Sequence, residues 1–124
     1  KRQLYAKHVS NEESKKVLHD IFIRYEFDKM TKKFVEELFN STIKFSKELD
    51  SHIESNLENW TVDRLNVIDR LIMQMSLCEM IYLKSYDISH KVTISSAIEN
   101  AKKFSSEDST SFVNGVLDSI YKEL

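Results

Sequence analysis

The chain has no proline, one glycine (Gly115) and one cysteine (Cys78) in 124 residues. Without helix breakers, a sheet of tight turns is disfavoured and long helices are favoured. A lone cysteine cannot form an internal disulfide and rules out CxxC-type zinc sites. Its simplest role is that of a small core residue. A single glycine excludes the glycine-rich loops that cradle phosphates and dinucleotides. The four histidines (His8, His19, His52 and His90) are scattered, and none makes an HExxH pair. No metal or other cofactor is therefore expected, and no catalytic residue is assigned. No apolar run approaches the length of a membrane span and no signal peptide opens the chain, so the expected compartment is the cytoplasm, away from the membrane. Two glycosylation patterns, at Asn40 and Asn59, are then idle.

What is present is a soluble balance of 41 % apolar and 31 % charged residues, enough for one compact domain with a real core. The formal net charge is −2 and is unevenly spread. Residues 1–50 carry eleven Lys and Arg against nine Asp and Glu, and residues 51–124 carry seven against eleven. A nucleic acid would favour the first half.

The segment Asn66 to Tyr82 organises the rest. Val67, Ile68, Leu71, Ile72, Met75, Cys78, Ile81 and Tyr82 recur at spacings of three and four, one broad helical stripe. Leu77 and Met80 add apolar surface off the stripe, so this helix belongs inside a bundle. Asp69, Arg70, Gln74 and Ser76 form its polar side. Glu79 lies on or beside the stripe, where a carboxylate must be paired or face a contact surface.

The other segments follow in order. Lys1–Lys7 reads as the last turns of a helix that begins earlier. Ser10 and Glu13 fit a capping box. Residues 14–27 form a helix, and Asp28 or Thr31 caps the next one. From Phe34 the pattern runs to Leu57 as a long helix bent near Ser46 to Asp50, where the stripe rotates. Trp60 is expected to plug a helix junction, with Thr61 or Asn59 as a cap. Lys84–His90 is the main loop, Lys91–Phe104 a further helix, and Ser105–Ser109 a polar turn with several possible caps. The last helix presents Phe112, Val113, Val116, Leu117, Ile120, Tyr121 and Leu124. Asn114-Gly115 is a hairpin signal, yet the helical spacing continues on both sides. Gly115 inside a helix costs about 1 kcal/mol relative to Ala. The expected return is close approach of another helix, with Asn114 near the core. The fold class is all-α, a bundle of six to seven helices in one domain.

Several blocks add a resemblance. They are Asn59-Trp60-xxx-Arg64-Leu65-xxx-Asp69-Arg70-x-Ile72, Glu79-Met80, the Lys91–Phe104 segment with Val92, Ile94, Ala97 and Ala101, and Ser109-xx-Phe112-Val113-Asn114-Gly115-Val116-Leu117-Asp118. Together they resemble the NusB family of transcription antitermination factors over residues 31–121. The resemblance implies two packed three-helix units (1–58 and 59–124) and a binding role with no catalysis. It implies a heterodimer with the small-subunit ribosomal protein NusE, binding single-stranded boxA-type RNA and supporting ribosomal-operon transcription within the elongation complex. It also implies site residues. Leu4-Tyr5 matches the end of the family's arginine-rich first helix, which makes Lys1, Arg2 and Tyr5 RNA-contacting candidates, with Arg70 a fourth. Glu79, Asp108 and Phe112 are the partner-facing candidates.

Three departures stand out. The arginine-rich start is absent, Gln74 stands where Arg is usual, and Ser95-Ser96-Ala97 with Ser89 replaces Asn-Glu-Ala and a loop proline. The sequence thus reads as a divergent or N-terminally trimmed member. Two other functions fit the same helices: the RNA-guiding domain of a ribosomal-RNA cytosine methyltransferase, or a homodimerising interaction module without RNA binding.

Overall fold

The computed structural model describes residues 16, 19, 32–58 and 61–124. Five α-helices lie within residues 32–124: α1 (Lys32–Lys44), α2 (Ser46–Glu54), α3 (Val67–Tyr82), α4 (His90–Phe104) and α5 (Glu107–Glu123). Two short 3-10 turns, Val62–Arg64 and Lys84–Tyr86, lead into and out of α3. No strand occurs among the described residues. The first helix, the Ser10–Glu13 capping box, the helix over 14–27, its successor's cap at Asp28 or Thr31, and the Asn59 and Trp60 junction lie outside the described residues, apart from Lys16 and His19.

The central helix is where the apolar spacing puts it. Asn66 caps it, its side-chain oxygen accepting from the Ile68 N–H at 2.8 Å. The helix packs against all four others. Ile72 to Met80 are nine consecutive buried residues, so its supposedly polar side is buried too. Asp69, Gln74 and Ser76 expose 6 % or less. Ser76 satisfies its hydroxyl by donating to the Ile72 carbonyl at 2.8 Å.

The bend expected near Ser46 to Asp50 falls one residue earlier, at Phe45 (φ −103°, ψ 20°). Helical hydrogen bonds continue through it: Phe45 N–H to Ser41 O and Leu49 N–H to Phe45 O, both 2.9 Å. α1 and α2 are therefore one kinked helix. The Phe45 ring stacks on Tyr82 at the end of α3, with centroids 3.9 Å apart and planes 6° apart. Two further helix starts bear on the expected caps. Thr61 makes no side-chain cap bond. Ser89, in the place of a common proline, caps α4 by accepting from the Lys91 N–H at 3.1 Å. Asp87 takes the left-handed conformation (φ 53°) that ends the preceding 3-10 turn, a geometry aspartate tolerates.

Asn114-Gly115 is helical, as its surroundings predict. Among the described residues the close helix approach does not occur. Among the described residues no heavy atom lies within 4 Å of a Cβ built at Gly115, and both Asn114 and Gly115 are exposed. Apolar spacing fixes a residue's angular position on a helix but not which neighbour lies there.

Candidate functional site

Three polar links tie the surface of this bundle to α3. The first is built on Arg70 and Gln74, one turn apart and therefore on one face. Arg70 grips Asp50 of α2 with two bonds, Nε to Oδ1 at 3.2 Å and a second guanidinium nitrogen to Oδ2 at 2.6 Å. Gln74 donates to the same Oδ1 at 2.7 Å. Asp63 stands 3.5 Å from the guanidinium on its other edge. The hydrogen bond to Asp50 is the main force raising the Arg70 pKa, with the charges of Asp50, Asp63 and Glu54 acting the same way against partial desolvation. Arg70 is thus a cation held by carboxylates, its side chain 29 % exposed. Gln74, in the place of an arginine, completes the set.

The second link is Glu79, only 5 % exposed. Its Oε1 accepts from the hydroxyl of Thr93 at 3.1 Å, joining α3 to α4. The third joins α3 to the α4–α5 turn. Ser109 is 7 % exposed and donates from Oγ to Asp69 Oδ2 at 2.8 Å. The hydroxyls of Ser105 and Ser106 lie 3.0 and 3.1 Å from the same Ser109 Oγ. Ser106 also caps α5 by accepting from the Ser109 N–H at 3.2 Å. The turn is therefore fastened from within, and it carries Asp108 on its outside.

Asp108 is exposed in the first turn of α5, where a carboxylate suits the helix dipole. Phe112 follows one turn later on the same face, half-buried. Its ring lines a groove of about 570 Å³ between α5 and the chain after α2, floored by Leu57, Leu65 and Val116. The structure therefore brings Asp108 and Phe112 together. Glu79 stands ten residues along α3 from Asp69, about 15 Å away along the axis. Arg70 sits in its own carboxylate cluster. Lys1, Arg2 and Tyr5 lie outside the described residues.

The sequence reading missed Asp50, Asp69 and Ser109 as organisers of this surface. Asp69 carries the ordinary signal of an acidic first turn. Nothing in the local pattern pairs it with a serine forty residues later. Among the described residues no three His, Cys, Asp or Glu side chains could hold a metal ion, and no helix is long and apolar enough to cross a membrane.

The fold and these links define an all-α bundle whose central helix is tied by internal polar bonds to α2, α4 and the α4–α5 turn. The comparisons give the family. The NusB family model matches residues 2–122, and the chain belongs to that family. The transcription antitermination protein NusB of Chloroherpeton thalassium is 38 % identical over 122 residues, covering 98 % of this chain and 57 % of the relative. The chain thus spans little more than half the length of that protein. The Salinibacter ruber NusB is 36 % identical and is covered over 76 % of its length, against 99 % of this chain. Among solved structures, T. maritima NusB superposes with a TM-score of 0.70 at 28 % identity, over 93 % of this chain and 92 % of that one. The complex of antitermination factors NusB and NusE with double-stranded RNA gives 0.67 at 28 % identity, over 80 % of this chain and 74 % of that one.

Proposed function

We propose that this chain is a transcription antitermination factor that pairs with the small-subunit ribosomal protein NusE and binds boxA-type RNA with it. The observation that carries this reading is the match to the family's model over nearly the whole chain, together with the likeness to a NusB that is bound to NusE and RNA. The role is binding without catalysis, in the cytoplasm, within the elongation complex. Phosphate contacts supply affinity and unstacked bases supply specificity.

Within this proposal Lys1, Arg2 and Tyr5 hold RNA. Arg70 reaches phosphate only through the edge of its guanidinium that Asp50 leaves open. Competition with Asp50 and Asp63 makes it a weaker phosphate ligand than a free arginine. Asp108 and Phe112 meet the protein partner directly. Glu79, being buried, contributes by fixing Thr93 and the seating of α4.

The test is a titration of labelled boxA RNA with this chain, with NusE, and with both, at two salt concentrations. The pair is expected to bind boxA more tightly than either protein alone, and a scrambled RNA weakly. A pair that forms without binding RNA leaves only the protein-binding half of the proposal standing. Failure to pair with NusE refutes the assignment.

A further inference from the structure

The kink at Phe45 carries an aromatic pair that none of the candidate contacts above uses. Phe45 and Tyr82 stack with centroids 3.9 Å apart and planes 6° apart, and both residues are half-buried rather than sealed in the core. The Lys44 Nζ stands over the Phe45 ring, 5.3 Å from its centroid. Phe45 therefore already has a ring and a cation against it. Tyr82 has no second ring against it among the described residues. The π surface left for a further ring is that of Tyr82.

The charges beside the stack favour a ring that arrives with anions. Lys44 and Lys84 are exposed and make no ion pair among the described residues, whereas Arg70, Lys102 and Lys122 each lie against a carboxylate. Lys44 immediately precedes Phe45, and Lys84 stands two residues after Tyr82, so a cation flanks each ring along the chain. Burial and then the charge of Glu48 raise the pKa of the Tyr82 hydroxyl, which stays a neutral donor. Glu48 itself is exposed and opposes an arriving phosphate. The stack ties α3 to the same kinked helix as the Arg70–Asp50 link does, twelve residues further along α3, about 18 Å along the axis. An aromatic face with unpaired lysines beside it suits a single-stranded nucleotide, because the ring takes the base and the cations neutralise the phosphates. An apolar protein side chain gains nothing from those two lysines.

We propose that the Phe45–Tyr82 stack is a second RNA subsite, in which an unpaired base lies on Tyr82 and the flanking phosphates meet Lys44 and Lys84. Glu48 limits the affinity of this subsite. The inference rests on the RNA-binding reading above and extends it to the C-terminal end of α3, opposite the end at which Ser109 bonds Asp69.

The experiment is titration of labelled boxA RNA, extended by single-stranded nucleotides at both ends, with the full chain and NusE at several salt concentrations. Wild type is compared with Tyr82→Leu, Tyr82→Phe, Lys44→Gln and Glu48→Gln. Pairing with NusE in the absence of RNA, and melting by circular dichroism, are followed for each. Tyr82→Phe keeps the ring and is expected to bind RNA within about twofold of wild type. Tyr82→Leu keeps apolar bulk, loses the π face, and is expected to bind RNA about fivefold or more weakly while pairing with NusE as before. Lys44→Gln is expected to lower the slope of log affinity against log salt by about 0.7. Glu48→Gln is expected to bind RNA about twofold more tightly, because a charge facing the phosphates is removed. Three results overturn the inference while leaving the RNA-binding proposal intact. These are a Tyr82→Leu chain that binds RNA like wild type, a Lys44→Gln chain with an unchanged salt slope, and a Tyr82→Leu chain that loses NusE pairing without RNA, which assigns the stack to the protein partner. A wild-type chain that pairs with NusE and binds no RNA overturns both.

Discussion

Replacing Asp50 with alanine is the most informative single perturbation of the bundle. The Asp50 side chain is 17 % exposed and accepts three hydrogen bonds, two from Arg70 and one from Gln74. Its removal leaves a 29 % exposed guanidinium with Asp63 at 3.5 Å and the charge of Glu54. It also leaves the amide of Gln74, a residue 6 % exposed, without that acceptor. Hydrogen bonds to charged groups are worth about 1.5–3 kcal/mol and breaking a fully buried pair costs about 3–5 kcal/mol. Partial exposure lowers that, so the expected loss is about 2.5 kcal/mol. With an unfolding entropy near 2.1 cal/mol/K per residue, this lowers Tm by about 10 °C. Asp50→Asn keeps an acceptor for one bond and is expected to cost about half as much. Urea unfolding of Asp50→Ala, Arg70→Met and the double variant completes a cycle, with an expected coupling of about 1–2 kcal/mol. RNA binding gives the functional readout: with Asp50 neutralised, Arg70 is released toward phosphate, and boxA affinity is expected to rise even as stability falls. A coupling near zero, or an unchanged Tm, refutes the view that Asp50 captures Arg70.

Three further outcomes are expected. Ser109→Ala deletes the donor to buried Asp69 and is expected to cost about 1–3 kcal/mol by urea unfolding, with weaker NusE pairing because the Ser105–Asp108 turn loosens. Leu77→Ala, at a fully buried position on α3, is expected to cost about 2–5 kcal/mol and to leave little folded chain at 37 °C by circular dichroism. Burial pushes the Cys78 thiol up from 9.0 to about 11. The unfolded chain therefore ionises first: this contribution is complete below pH 9 and fades as pH rises through 11, for a loss of about 3 kcal/mol. Denaturant midpoints are expected to fall across that window in wild type and to fall less in Cys78→Ala. At pH 7 native Cys78 is expected to resist thiol reagents until the chain unfolds.

The helices α3, α4 and α5 were legible because apolar residues recur at helical spacing; the structure supplied their caps, Asn66, Ser89 and Ser106, of which only Ser106 lay in a turn already expected to offer one. Asp108 and Phe112 were legible as neighbours because four residues make one helical turn. The groove beside them was not, since its other wall comes from Leu57 and Glu58, more than fifty residues earlier. Nor was the capture of Arg70, because an exposed and a salt-bridged arginine look the same in a helix's polar face.

The resemblance at the Phe112–Asp118 signature suggested the family, while local physics, written along the chain, determined the all-α class, the central place of α3 and the helical state of Asn114-Gly115. These depend on backbone propensity and on spacing, which act between residues a few positions apart. The tertiary structure alone decided that Asp69, Gln74, Ser76 and Glu79 are buried, and which acceptors and donors satisfy them. It alone placed the kink of the α1–α2 helix at Phe45, with the ring stacked on Tyr82, and left no described neighbour within 4 Å of a Cβ built at Gly115. Each of those outcomes depends on which distant surface arrives at a given helix face, and a one-dimensional pattern carries no term for that.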